Sequence, residues 1–353
     1  YGRSGIVIDA KSGKILYAKK VDDRHYPASI TKILTTLVAI ENNKDLYDEV
    51  TFSSYAVNSI EPGSTHIGIK AGEKIPLIDV LNAIMLESAN EACNGAAEHT
   101  AGTTKKFVEL MNKKVKELGC TGSHFVTTNG LHDDDHYVTA RDMAKISKAA
   151  LENETFRYVA CKPNYYIAPT NKDKHGKELW NHHKMVKRTM FNYDGVEGGK
   201  TGYTDESQNT LVTFAEKDGM RLICVVFKEA TDEIRYVDTR TLFDWGFANF
   251  QKSTTTGSQL GAMFSNDNYY NSAVFSTLSL NFGLNASFIT IPNKSSLSNV
   301  SMTVDDNYDM TNENGVMTTH LKFLYNDNTV GTTTLNISAA GTDTGSLLPY
   351  INN

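Results

Sequence analysis

No apolar run in the 353 residues approaches the roughly 18 needed to span a bilayer, and the first residues lack a secretory signal pattern. Cysteine is scarce. Cys93, Cys120, Cys161 and Cys224 are far apart with no Cys-x-x-Cys spacing, which excludes a disulfide framework or a cysteine zinc site and leaves free thiols in or near a core. Nor is there a basic stripe, and the formal charge of −6 argues against a general nucleic-acid binder, which needs clustered Lys and Arg. His132 and His136 flank Asp133-Asp134-Asp135, but loop histidines beside aspartates read as solvated side chains, so no metal or other cofactor is expected.

What is present is enough chain for two domains, the first with a sizeable core. The stretch Pro27-Ala28-Ser29-Ile30-Thr31-Lys32 places a hydroxyl and an amine three residues apart, side by side on one helical face. Ile30, Ile33, Leu34, Leu37 and Val38 recur at helical spacing and pull this face into a core. A lysine against apolar neighbours loses solvation of its charged form, and its neutral amine can take a proton from a nearby serine. Taken alone, the same residues fit a capped helix with a surface lysine.

Along the chain, residues 5 to 18 read as a hairpin, and the Ser29 helix ends near Asn42-Asn43. Pro76 opens a helix whose stripe is Leu77, Val80, Leu81, Ile84 and Met85, and which delivers Ser88-Ala89-Asn90 at its far end. Further helices run from Thr103 to Leu118, stopped by Gly119, and onward from Thr139 and Asp142. From Lys200 the period becomes two, through Leu211, Thr213 and Ala215, followed by a buried strand over Leu222 to Phe227. A closing helix is expected to turn Ile234, Val237, Leu242, Phe243, Trp245 and Phe247 toward the core. Strands at both ends with helices between them predict an α+β fold, one mostly antiparallel sheet covered by helices, over residues 1–250.

Past Phe250 the cations thin to Lys252, Lys294 and Lys322, while Ser, Thr and Asn dominate. Alternating runs at Ser287 to Ile291, Thr319 to Leu324 and Thr332 to Ile337 predict a small all-β module over 251–353, folded rather than a disordered linker. It carries no catalytic constellation.

Lys200-Thr201-Gly202 follows Gly198-Gly199 at the start of a strand. A cation, a hydroxyl and a bare backbone in sequence suit a carboxylate-bearing peptide laid along an exposed edge. Ser-x-x-Lys and Lys-Thr-Gly each occur once, with Ser88-Ala89-Asn90 between them, the chain order of the penicillin-recognising serine enzymes. With Ile8 to Lys14, Asn129-Gly130-Leu131, His136 to Asp142 and Gly199 to Thr204, residues 4 to 250 resemble the serine D-alanyl-D-alanine carboxypeptidases of the S11 peptidase family, the low-molecular-mass penicillin-binding proteins.

That resemblance implies an acyl-enzyme route on a peptidoglycan stem peptide ending in D-Ala-D-Ala, with β-lactams as covalent inhibitors. Ser29 would be the nucleophile, Lys32 its base and Ser88 the proton donor to the leaving D-alanine. Asn90 would hold a substrate amide, and Lys200 and Thr201, with Gly202 beside them, would orient the terminal carboxylate. The backbone N–H groups of Ser29 and Tyr203 would form the oxyanion hole, and Arg235 would help recognise the carboxylate. The resemblance also implies the extracytoplasmic face of a bacterial membrane or the cell wall. Family members usually carry a signal peptide and a C-terminal amphipathic anchor, and neither is in these residues, so an exported protein would have been trimmed.

The sequence departs from the family after Thr204, where Asp205-Glu206-Ser207-Gln208-Asn209 replaces an Ala-Gly-Tyr-like stretch, and at His182, which stands about where an arginine would align. The rival functions are a β-lactamase, a non-catalytic β-lactam or peptidoglycan sensor and a zinc peptidase using His132 and His136. No Glu-x-x-Leu-Asn element of the class A β-lactamases lies between Asn90 and Lys200, so slow deacylation is expected.

Overall fold

A computed structural model describes residues 1–186, 189–255, 280–284, 287–293, 295, 299–305, 311–313 and 316–339. Contacts divide the chain into two units, Tyr1–Ala10 with Ile15–Gly246, and Lys11–Lys14 with Phe247–Asn353.

The first unit is built on a five-stranded antiparallel sheet in the order Ile15–Lys19, Ser4–Asp9, Met220–Glu229, Asn209–Lys217, Val196–Gly202. The first hairpin of this unit thus sits beside its last, and Val196–Gly202 is left as an edge strand. Ser4–Asp9 is buried at every position, and Asn209–Lys217 at every position through Ala215. The period-two pattern anticipated over Leu211 to Ala215 therefore does not translate into one wet face, because both faces of the sheet are covered. Ile6, Ile8, Val212, Phe214, Ile223, Val225 and Phe227 join the main core with the helices Lys32–Asn42, Leu77–Leu86, Asn90–Ala101, Thr104–Glu117 and Ala140–Glu152.

The opposite face takes the closing helix Asp232–Asn249. Gly246 lets it approach: a Cβ there would lie 2.8 Å from Leu222 Cδ1. The buried face of this helix agrees with the expectation for Phe243 and corrects it for Val237 and Trp245. It consists of Arg235, Tyr236, Thr239, Phe243 and Gly246, whereas Val237 and Trp245 are exposed. The helix buries the aromatics Tyr236 and Phe243 together with polar and small residues, so its hydrophobic residues mark its inner side only in part.

Several of the other helices begin or end at a cap. Thr103 accepts from the Lys106 amide, Thr139 from Asp142 and Asn153 from Phe156, each satisfying a first-turn N–H. Gly119, at φ 65°, closes Thr104–Glu117. All four cysteines are free, and Cys93, Cys120 and Cys224 are buried. Among the described residues, no helix is long and apolar enough to cross a membrane.

The second unit contains the antiparallel pair Phe250–Thr255 with Ser287–Pro292 and a sheet in the order Leu280–Leu284, Asn328–Ala339, Val316–Tyr325, Ser301–Val304. Thr311–Glu313 adds to Val316–Tyr325. The central hairpin turns at Asn326-Asp327, both at positive φ, as a two-residue turn compatible with strand twist requires. The all-β reading of this segment agrees with these strands, although 256–279 and 340–353 lie outside the described residues.

Gly95 tests the packing of the first unit. Alanine is the better helix former, but its Cβ would lie 2.2 Å from the Phe52 ring, itself fully buried. Gly95→Ala is expected to cost about 1–3 kcal/mol, seen as a fall of several degrees in Tm, and Phe52→Leu in the same chain should restore most of it. An unchanged Tm for Gly95→Ala would show that the ring yields freely.

Candidate active site

Ala28–Thr31 forms one turn of 3₁₀ helix that runs directly into Lys32–Asn42. The chain enters through Ala28 at φ 52°, a left-handed conformation that costs a non-glycine residue about 1–2 kcal/mol. Gly130 holds this bend from outside. Its φ is +86°, and a Cβ there would lie 2.0 Å from the Ala28 carbonyl oxygen, so only glycine lets the Asn129-Gly130 turn come so close.

Lys32 is fully buried, as the spacing of its apolar neighbours predicts, and Ile30, Ile33, Leu34, Leu37 and Val38 are buried around it. Its Nζ lies 2.8 Å from Ser29 Oγ, 2.8 Å from Asn90 Oδ1 and 2.7 Å from the Asn129 carbonyl oxygen. Burial pulls its pKa from 10.5 down to about 8, with the nearby Cys93 and Glu91 opposing. The donor inventory then fixes what the neutral amine does. It keeps two N–H donors and gains a lone pair. Asn90 Oδ1 and the Asn129 carbonyl can only accept, so they take the two donors. The hydroxyl of Ser29, the one partner able to donate, is left facing the lone pair.

Ser88 and Asn90 come from the turn between Leu77–Leu86 and Asn90–Ala101. Ser88 is buried at φ 60°, a second non-glycine residue in the left-handed region at this site. Asn90 starts its helix with its amide bonded to the Thr65 carbonyl at 2.9 Å.

The opposite wall is the edge strand. Lys200 is buried, and its amine donates to the Thr201 carbonyl at 3.1 Å. Burial and then the charge of Lys32 hold its pKa well below the usual lysine value, with Glu87 among the opposing groups. A Cβ on Gly202 would lie 2.3 Å from Thr210 Oγ1, 2.9 Å from the Pro27 oxygen and 3.1 Å from the Ser29 nitrogen. The bare backbone at Gly202 is thus what brings the strand end against the amide of Ser29, and Thr210 Oγ1 locks the approach by donating to the Pro27 oxygen at 3.0 Å. Thr201 is half-buried, and Tyr203 is exposed with its hydroxyl on Asp205 at 3.0 Å. Arg235 lies buried beneath this strand, donating to the Gly202 and Thr210 carbonyls at 3.1 and 3.2 Å and pairing with Asp232. After Thr204 the chain forms a compact turn, with Ser207 Oγ accepting from the Thr204 amide at 2.9 Å.

The profile of the S11 peptidases, described as D-alanyl-D-alanine carboxypeptidase, matches residues 2–231. The chain belongs to the S11 peptidase family. It is 33% identical over 256 residues to D-alanyl-D-alanine carboxypeptidase DacF of Bacillus subtilis, covering 70% of this chain and 63% of that protein. It is also 33% identical over 271 residues to D-alanyl-D-alanine carboxypeptidase DacA of Escherichia coli, covering 75% of this chain and 64% of that protein. The chain therefore spans a little under two-thirds of these relatives. The crystal structure of a Mycobacterium tuberculosis D-alanyl-D-alanine carboxypeptidase superposes with TM-score 0.64 at 30% identity, covering 70% of this chain and 91% of that one. Penicillin-binding protein 5 of Haemophilus influenzae superposes with TM-score 0.72 at 26% identity over 96% of each chain.

Within this S11 fold, sequence reasoning overlooked three contributors. Asn129 acts through its carbonyl, which no side-chain pattern announces. His182, set apart in the sequence, pairs with Glu87 Oε2 at 2.8 Å, whereas the histidine behind Lys200 is the next residue. His183 is buried, with Nε2 2.9 Å from Thr213 Oγ1, and its ring packs against Gly199. Burial, with the charges of Arg235 and Lys200, pushes its pKa down to about 3, so the imidazole there is neutral. His136 is likewise not a solvated loop side chain. It is buried, its Nδ1 accepts from the Val126 and Thr127 amides, and Nε2 lies 2.9 Å from Thr31 Oγ1, bracing the residue before Lys32. Among the described residues no three metal-ligating side chains cluster.

The depressed pKa of Lys32 has a stability signature. The folded value, about 8, lies below 10.5, so between these pH values the unfolded chain holds more protons and stability rises with pH. The penalty is fully present below pH 8. Denaturant melts of wild type and Lys32→Met at pH 7 and pH 10 should show wild type gaining on the variant by roughly 2–3 kcal/mol. Parallel pH dependences would show an unperturbed lysine.

Proposed function

We propose that the protein is a serine D-Ala-D-Ala carboxypeptidase that removes the terminal D-alanine from peptidoglycan stem peptides. The observation that carries this reading is the Lys32 amine, buried and bonded to Ser29 Oγ at 2.8 Å, with a second buried lysine on the facing strand.

Ser29 Oγ attacks the carbonyl carbon of the peptide bond between the two D-alanines, and its proton passes to the neutral Lys32 amine. The developing oxyanion meets the backbone N–H groups of Ser29 and Tyr203, which the packing of Gly202 supports, and such donors are worth a few kcal/mol each. Ser88 passes a proton to the departing D-alanine nitrogen, and water then hydrolyses the ester on Ser29. Asn90 holds a substrate amide while its Oδ1 fixes Lys32.

The terminal carboxylate adds a direct counter-ion to this site. Lys32 adds to the burial that depresses the charged form of Lys200, and a carboxylate at Thr201 and Lys200 relieves that repulsion. Arg235 contributes from below, fixing the Gly202 carbonyl and adding positive field. β-Lactams acylate Ser29 by the same route. The work belongs on the extracytoplasmic face of a bacterial cell.

D-alanine release from diacetyl-lysyl-D-alanyl-D-alanine tests the reading. Release should be abolished by Ser29→Ala and by benzylpenicillin. Because the free enzyme needs Lys32 neutral, kcat/KM should rise about tenfold per pH unit toward pH 8 and level off above it. Stoichiometric penicillin labelling of Ser29 without any D-alanine release would make the chain a sensor instead.

A further inference from the structure

The turn that carries Ser88 is tied at its base to one distant segment. Glu87 Oε1 accepts from the Trp180 amide at 2.5 Å, and Glu87 Oε2 lies 2.8 Å from His182 Nε2. The Leu86 carbonyl accepts from the His182 amide at 3.2 Å. Two successive residues before Ser88 are thus held by residues 180 and 182. That segment is anchored in turn, since Leu179 is fully buried and Asn181 is buried with its Nδ2 on the Lys162 carbonyl at 2.9 Å and its amide on the Pro163 carbonyl at 2.9 Å.

The tie bears on the strain in the turn. Ser88 sits at φ 60°, a conformation that a serine leaves unless its surroundings hold it there. Glu87 is only 19% exposed and His182 43%, so the pair is shielded on the carboxylate side and reachable by solvent on the other. Its bonds run to a backbone amide and to an imidazole, a directional clamp rather than a diffuse charge.

We propose that Glu87 is a positioning residue for Ser88: its carboxylate, bridging the Trp180 amide and the His182 ring, holds the strained turn in the geometry that proton delivery to the leaving amine requires. The inference rests on the role given to Ser88 above. Glu87 touches no reacting atom, and it acts through the residue that follows it. Its charge also reaches Lys200, so the experiment must separate clamp from charge.

D-alanine release is measured for wild type, Ser88→Ala, Glu87→Ala, Glu87→Gln and the double variant Glu87→Ala/Ser88→Ala. Rates are counted per penicillin-titrated site, so unfolded protein does not enter. Ser88→Ala should lower kcat by about a hundredfold or more. Glu87→Ala should lower it about tenfold with KM little changed, and Glu87→Gln, whose amide oxygen can still accept from Trp180, should recover most of that loss. In the Ser88→Ala background, Glu87→Ala should cost nothing further, because the two act as one unit. Losses that multiply in the double variant, an unaltered kcat in Glu87→Ala, or a Glu87→Gln as impaired as Glu87→Ala would each overturn the clamp. Full activity in Ser88→Ala would instead remove the role of Ser88, an outcome visible without reference to Glu87.

Discussion

A lysine amine shut off from solvent and ringed by three oxygens is the interaction on which the rest of this structure depends. The ammonium form satisfies all three with its three donors. Removing one proton leaves two acceptor-only partners and one hydroxyl, so the geometry, rather than any special reactivity of the serine, decides where the lone pair points. Each partner comes from a different part of the chain: Ser29 from the same turn, Asn90 from the start of the next core helix, Asn129 from a loop pinned by Gly130. The helical layer of the domain is, in effect, the means of delivering these groups to one nitrogen.

The sheet contributes the other half of the electrostatics. An edge strand offers an unpaired backbone for a peptide to lie along, and here that edge carries a second buried lysine close enough for Lys32 to depress its charged form. Desolvated like charges are unfavourable in the free protein. Glu91 and Glu87 offset them, and Arg235 is held by Asp232. What remains is an excess of positive potential where the strand end meets the Ser29 amide, so the carboxylate-terminated ligand proposed above would both bind and lift the cost of keeping the site assembled.

How much of this could be read from the chain varies with what carries the signal. Side-chain motifs and helical stripes were plain: Ser29 and Lys32 do meet, Leu77 to Met85 do face the core, and Thr103 and Thr139 do cap their helices. The closing helix was only partly legible, because Phe243 faces inward as expected but shares its buried side with Arg235, Tyr236, Thr239 and Gly246, which serve close approach and bonding to the strand below. Local hydropathy cannot report a polar face that is buried by function. The Asn129 carbonyl and the Glu87 bridge were invisible for a different reason, since both depend on backbone groups and on partners about a hundred residues away.

The same distinction explains where strain collects. Ala28 and Ser88 both adopt left-handed backbone, and each directly borders a residue of the site, Ser29 in one case and the turn to Asn90 in the other. Neither bend is favoured by its own sequence, so both must be imposed by tertiary packing: Gly130 and Gly202 against the first, the residues 180–182 against the second. A conformation imposed from outside is held only while the whole domain is folded. The reactive arrangement is therefore a property of the assembled core and not of the motifs, which taken singly would relax into an ordinary capped helix and an ordinary polar turn.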